Sequence, residues 1–123
     1  MLELSPLPKT WLVDIDGTLF RHNGHLTGTD IPLPGAASFM QAIPATDRIV
    51  LMTARSSAHE AATRAALLAA GIRFDLILFD LPAGERILIN DAKPSGLQTA
   101  HAVTIPRDGG LPAFADMARI VDK

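Results

Sequence analysis

The 123-residue sequence predicts an α/β domain, with a parallel sheet of about five strands flanked by helices. Three observations predict it. The apolar segments are short continuous runs, not the apolar/polar alternation of a half-exposed sheet. An Ala/Leu-rich helical segment separates two of them. Polar residues with reactive side chains stand just past the ends of the runs, where open parallel sheets bind ligands. At this length one domain over residues 1–123 is the expectation.

Taken in order, Thr10-Trp11-Leu12-Val13 reads as a buried strand ending at Asp14. Residues 17–35 are rich in Gly and Pro and read as loop. Pro34 to Gln41 predicts a short helix, stopped before Pro44. Arg48 to Met52 is a second strand, ending at Thr53. Ser57-Ala58-His59-Glu60 has capping-box spacing and opens the Ala/Leu-rich helix, which stops at Gly71. Phe74 to Phe79 reads as a third strand. Arg86 to Ile89 reads as a fourth, leading into Asn90-Asp91, and Ala102 to Ile105 as a fifth. Pro112 to Val121 predicts a closing helix with Pro in its first turn.

Composition excludes several function classes. Without Cys there is no disulfide framework, thiolate zinc site or iron–sulfur cluster. A net charge of −2 argues against nucleic-acid binding by phosphate neutralisation. The first residues have neither the basic nor the apolar region of a secretory signal. No apolar run is long enough to span a membrane. A cytoplasmic protein is expected, with no nucleic-acid or membrane partner.

The sharpest motif is Asp14-Ile15-Asp16-Gly17-Thr18. Residues i and i+2 of an extended segment share a side, so both carboxylates can face one cleft. Gly17 then permits a sharp turn. Two carboxylates joined by a third from another strand suit a hard divalent cation such as Mg²⁺. Thr53 and Arg55 past the second strand, and Asn90 and Asp91 past the fourth, would reach the same edge.

This series resembles the haloacid dehalogenase (HAD) superfamily of phosphatases and phosphotransferases, over roughly Trp11 to Ile105. The short capsule-biosynthesis-phosphatase-like proteins have a similar layout. The resemblance implies a Rossmann-like sheet and a Mg²⁺-dependent phosphomonoesterase working through an aspartyl-phosphate. It implies Asp14 as nucleophile and Asp16 as general acid/base. Thr53 would bind the phosphoryl group, with Arg55 as a further contact. Asp14, Asp16, Asp91 and Asn90 would form the metal site, Asn90 standing where many members have a second acid. The family's phosphate-neutralising cation normally lies upstream of the acidic motif. Here those positions are Pro82, Ala83, Gly84 and Glu85, so Arg86 and Lys93 are both candidates. Arg21, His22, Asn23 and His25 lie on the loop that in this family forms a flap, and Arg21 or His22 could meet the leaving group.

The gaps Asp16 to Thr53 (53 − 16 = 37) and Thr53 to Asp91 (91 − 53 = 38) leave room only for core elements, so no cap domain is expected. An uncapped site is open to large substrates, and small capless members often use a neighbouring subunit as a lid. The expectation is therefore a homo-oligomer acting on a sugar phosphate or other small phosphorylated metabolite across a subunit contact, or on a phosphate carried by a macromolecule. Two alternatives stay open. One is a non-catalytic HAD-like module that binds phosphate or metal. The other is a receiver-type signalling domain phosphorylated at Asp80.

Overall fold

The computed structural model describes residues 1–122. Its strands are β1 (Leu2–Leu4), β2 (Thr10–Asp14), β3 (Arg48–Met52), β4 (Leu76–Leu78) and β5 (Ala118–Ile120). Its helices are α1 (Gly24–Thr27), α2 (Ala36–Ala42), α3 (Glu60–Ala69) and α4 (Phe114–Met117). Every strand pairing is parallel. The strands form a three-stranded sheet in the order β2-β3-β4 and a two-stranded sheet of β1 with β5. This is a Rossmann-like α/β arrangement, and no cap domain is inserted among the described residues.

In register, Asp14 stands beside Met52 and Met52 beside Leu78. All three strands therefore present their carboxyl ends at one edge. Backbone bonds carry the contact a step further, from Ile15 N to Met52 O and from Thr53 N to Leu78 O, both at 3.0 Å. The chain past that edge holds Asp16, Thr53 and Arg55.

Alternate strand residues point to opposite faces of a sheet. Ile49, Leu51 and Ile77 are buried in one core, with Trp11 and Val13 packed against it. Phe39 of α2 meets the Trp11 ring edge-on at 6.2 Å, and Phe114 of α4 closes on both rings at 5.5 and 5.4 Å. The Trp11 indole N–H donates to the buried Asp47 carboxylate at 2.9 Å, which satisfies its polar edge. Leu67 of α3 joins the same cluster. The other face of the sheet differs from expectation. Leu12, Leu76 and Leu78 remain 39–51% exposed, so the continuous apolar strands are not buried on both sides.

Two expected strands do not form. Residues 86–89 and 102–105 are irregular, and Ile87 and Ile89 are highly exposed. A short apolar run supplies propensity, but a strand needs a neighbouring backbone to complete its ladder. Pro82, Gly84, Pro94 and Gly96 also break the chain on either side of 86–89. The closing helix expected over 112–121 shrinks to the single turn of α4. From Ala118 the chain extends as β5 and pairs with β1, Leu2 beside Ala118. A tertiary partner at the far end of the chain overrides the local helical pattern there. The start of α3 is also shifted. Ser56, not Ser57, is the capping residue, its Oγ accepting from Ala58 N at 3.2 Å, and residues Ser57–His59 form one 3₁₀ turn before α3.

Candidate functional site

Gly17 adopts φ +85°, a conformation that disfavours a side chain. The turn it makes lets the N–H groups of Leu19 and Phe20 bond back to Ile15 O at 2.8 and 3.0 Å. Leu19 and Phe20 are fully buried, which anchors the turn beneath the sheet edge. Above that edge Asp14 and Asp16 line an open cleft of about 490 Å³.

The two carboxylates have different surroundings. Asp14 closes β2 and is about one-third exposed. Its Oδ2 accepts from the Thr18 hydroxyl at 3.1 Å, and its Oδ1 faces Arg86 Nη1 at 3.1 Å. Asp16 is more enclosed. Thr53 Oγ1 donates to Asp16 Oδ2 at 2.8 Å, while Arg55 donates to Asp16 Oδ1 from Nε at 3.0 Å and Nη2 at 2.9 Å. The far side of Arg55 holds Asp30, through Nη1 and Nη2 at 2.8 Å each, and Thr63 Oγ1 at 3.0 Å. A guanidinium has five N–H donors. Two of the Arg55 groups go to Asp16, two to Asp30 and one to Thr63, with the side chain only 1% exposed. Burial works against the Arg55 charge, but the hydrogen bonds to Asp30 and Asp16 outweigh it and hold its pKa above the ordinary arginine value.

The structure gathers some of the sequence-nominated residues and separates others. Asp14, Asp16, Arg55 and Arg86 line the cleft. Arg55 is an internal clamp between Asp16 and Asp30, with no N–H left for a phosphoryl oxygen. The hydroxyl proton of the buried Thr53 is committed to Asp16, and its oxygen accepts from Arg55 N at 3.0 Å. Arg86 meets the nucleophile candidate because residues 82–89 are loop instead of strand. Lys93, Asn90 and Asp91 are exposed and do not line the cleft. The Asn90 amide donates to Thr99 Oγ1 at 2.9 Å, and the Thr99 hydroxyl donates to the Asp91 carbonyl. The expected start of α3 does not leave its first donors free either. Ser57 N bonds Asp80 Oδ1 at 3.1 Å, and Ala58 N bonds Ser56.

Whether these side chains suit Mg²⁺ is decided by the donor set. Among the described residues no group of three or more His, Asp or Glu side chains is placed to hold a metal ion. Asp91, the third carboxylate of the expected set, is absent from the cleft, and Arg86 already opposes Asp14. The set expected from Asp14, Asp16, Asp91 and Asn90 is therefore not assembled, because the segment carrying Asn90 and Asp91 does not pair with the sheet.

Four residues in or behind the cleft gain importance from the structure. Asp30 completes the Arg55 clamp. His59 stacks edge-on against His25 with ring centroids 4.9 Å apart. His25 Nδ1 is buried without a hydrogen-bond partner, 3.9 Å from Asp16 Oδ1. Burial, and then the Arg55 charge, lower its pKa and favour neutral imidazole. Arg107 reaches the cleft from the loop before α4. The spacing of charged residues carried no signal for these tertiary contacts.

Comparison with protein-family models, curated proteins and solved structures finds no match to this chain. The Rossmann-like architecture is compatible with a hydrolase. No helix among the described residues is long and apolar enough to cross a membrane.

Proposed function

We propose that the chain is a phosphohydrolase of HAD type, acting on a sugar phosphate or other small phosphorylated metabolite. The observation that carries this reading is Asp14, a half-buried carboxylate at the end of β2. It faces a ligand-sized cleft, with Thr18 and Arg86 fixing its two oxygens. A carboxylate at a parallel strand end, oriented by two donors, is suited to nucleophilic attack on phosphorus.

The chemistry then runs in two displacements. An Asp14 oxygen bonds to phosphorus as the ester P–O bond breaks, and the departing alkoxide takes a proton from solvent. Water next attacks the phosphorus of the aspartyl-phosphate, loses a proton to solvent, and releases inorganic phosphate and the Asp14 carboxylate. Arg86 offsets the like-charge repulsion between Asp14 and the phosphoryl group. Asp16, held by Thr53 and Arg55, shapes the floor and does not exchange protons in this scheme. Mg²⁺ is the cofactor that the sequence resemblance implies, but the described side chains expected to hold it are not brought together.

A second reading, a phosphate-binding module without turnover, is favoured by one observation. Thr53, Arg55 and Asp16 bond to one another, which commits their donors internally and away from a phosphoryl group. The receiver-type alternative has less support, since Asp80 bonds the start of the 3₁₀ turn and lies outside the cleft lining.

The test is phosphate release from an aryl phosphate by wild type and Asp14→Asn, each with added Mg²⁺ and with chelator. The hydrolase reading expects turnover by wild type and a loss of at least about 1,000-fold in the variant. Phosphate binding without turnover in any condition would select the module reading.

A further inference from the structure

Six of the eight arginines have a carboxylate partner: Arg48 and Arg73 with Asp75, Arg55 with Asp16 and Asp30, Arg64 with Glu60, Arg86 with Asp14, and Arg119 with Glu3. Among the described residues Arg107 has none, yet it lines the cleft. We propose that Arg107 is the anion-binding residue of this cleft, taking the oxygens of a phosphoryl group through its planar fork of donors. The binding claim stands on geometry alone. Its catalytic consequence rests on the hydrolase reading.

Each other cation considered for the site has a carboxylate partner or stands outside the cleft. Arg55 has no free N–H, Arg86 opposes Asp14, and Lys93 lies outside the cleft lining. A dianion entering the cleft therefore meets in Arg107 a guanidinium with no carboxylate beside it, whereas Arg86 shares its charge with Asp14.

Arg107 is exposed, but the backbone that carries it is fixed. The next residue, Asp108, is tied twice to the opposite loop: its N–H donates to Gly17 O at 2.9 Å, and its Oδ1 accepts from His22 N at 2.8 Å. That second bond occupies the adjacent acid with a backbone donor instead of with Arg107. Leu111 N donates to Pro34 O at 2.9 Å and fixes the other end of the loop. The stem of Arg107 crosses Gly17, with Cγ 3.2 Å from where a Cβ would stand. Gly17 thus serves two needs, the positive φ of the turn and the passage of this side chain. The Arg107 stem thus runs beside the turn that follows the two motif carboxylates.

Inorganic phosphate is the probe, its affinity measured calorimetrically for wild type, Arg107→Ala, Arg107→Lys and Arg64→Ala. Arg64→Ala removes an equal charge from the outer face of α3, where Arg64 pairs with Glu60. The proposal expects Arg107→Ala to weaken phosphate binding about 10- to 100-fold. Arg107→Lys should recover part of the loss, because it restores charge but not the fork. Arg64→Ala should bind as wild type does. Because Arg107 has no protein partner, its alanine variant should keep the wild-type melting temperature, which separates lost binding from lost folding. Unchanged phosphate affinity in Arg107→Ala, or no phosphate binding by wild type at millimolar concentration, would overturn the inference. Phosphate binding that depends on Arg107 without turnover removes the hydrolase reading alone. Turnover whose KM and phosphate inhibition are indifferent to Arg107→Ala removes the Arg107 assignment alone.

Discussion

Arg55→Met keeps an unbranched apolar stem and deletes the guanidinium between Asp16 and Asp30. The two carboxylates, with side chains 14% and 6% exposed, lose their shared counter-charge, and Thr63 Oγ1 loses its donor. Removing one partner of a buried ion pair typically costs about 3–5 kcal/mol, because the remaining charge stays desolvated. Two charges are stranded here, but Asp16 keeps its bond from Thr53. The expected loss is therefore in the middle of that range, about 4 kcal/mol. Trp11, the single tryptophan, is packed against Phe39 and Phe114 and reports unfolding by fluorescence. With a urea slope of about 1.5 kcal/mol per molar, the midpoint should fall by about 2.5 M. Adding Asp30→Asn should recover about 1–2 kcal/mol of the loss, since one stranded charge is then neutral. A loss below about 1 kcal/mol in the single variant would refute the clamp. It would show a guanidinium still solvated in the native state and so available to a ligand.

Two more outcomes follow from backbone and burial. Gly35 caps α2 at φ +77°, and an added Cβ would collide with Leu111 O, so Gly35→Ala should destabilise by at least about 2 kcal/mol in the same urea assay. A near-neutral result would mean that the 106–111 loop does not pack there. For His25, burial and then Arg55 lower the folded pKa, so the unfolded chain binds a proton first as pH falls below about 6.5. Wild type should therefore lose stability relative to His25→Asn between pH 7 and pH 5. Parallel pH profiles would contradict the burial of this imidazole. Asp75 does not confuse that window. Its hydrogen bond from Ile49 N, aided by Arg48 and Arg73, lowers its pKa, so its contribution disappears only as pH falls below the ordinary carboxylate range.

The sheet edge was legible because Trp11 to Val13 and Arg48 to Met52 are apolar runs that end in polar residues. Parallel pairing then brings their carboxyl ends together whatever the loops do. The turn after β2 was legible from Gly17, since few residues accept its positive φ. Residues 86–89 and 102–105 look as apolar as the true strands, yet they have no backbone partner. Propensity is local, whereas a ladder requires a neighbour. Asn90 and Asp91 were placed at the cleft only by assuming that the first of these segments pairs, so their position failed with it.

The sequence by itself determined the α/β class, the parallel direction of the sheet, and the delivery of Asp14 and Asp16 to one cleft. These follow from continuous apolar runs and a single turn, both encoded within a few residues. Tertiary structure decided which donors were left over. It closed Arg55 between Asp16 and Asp30, brought Arg86 to Asp14, carried Arg107 across Gly17 and left Asp91 outside. Ion pairing depends on distance in space and on desolvation, and neither quantity is written in the spacing of residues along a chain.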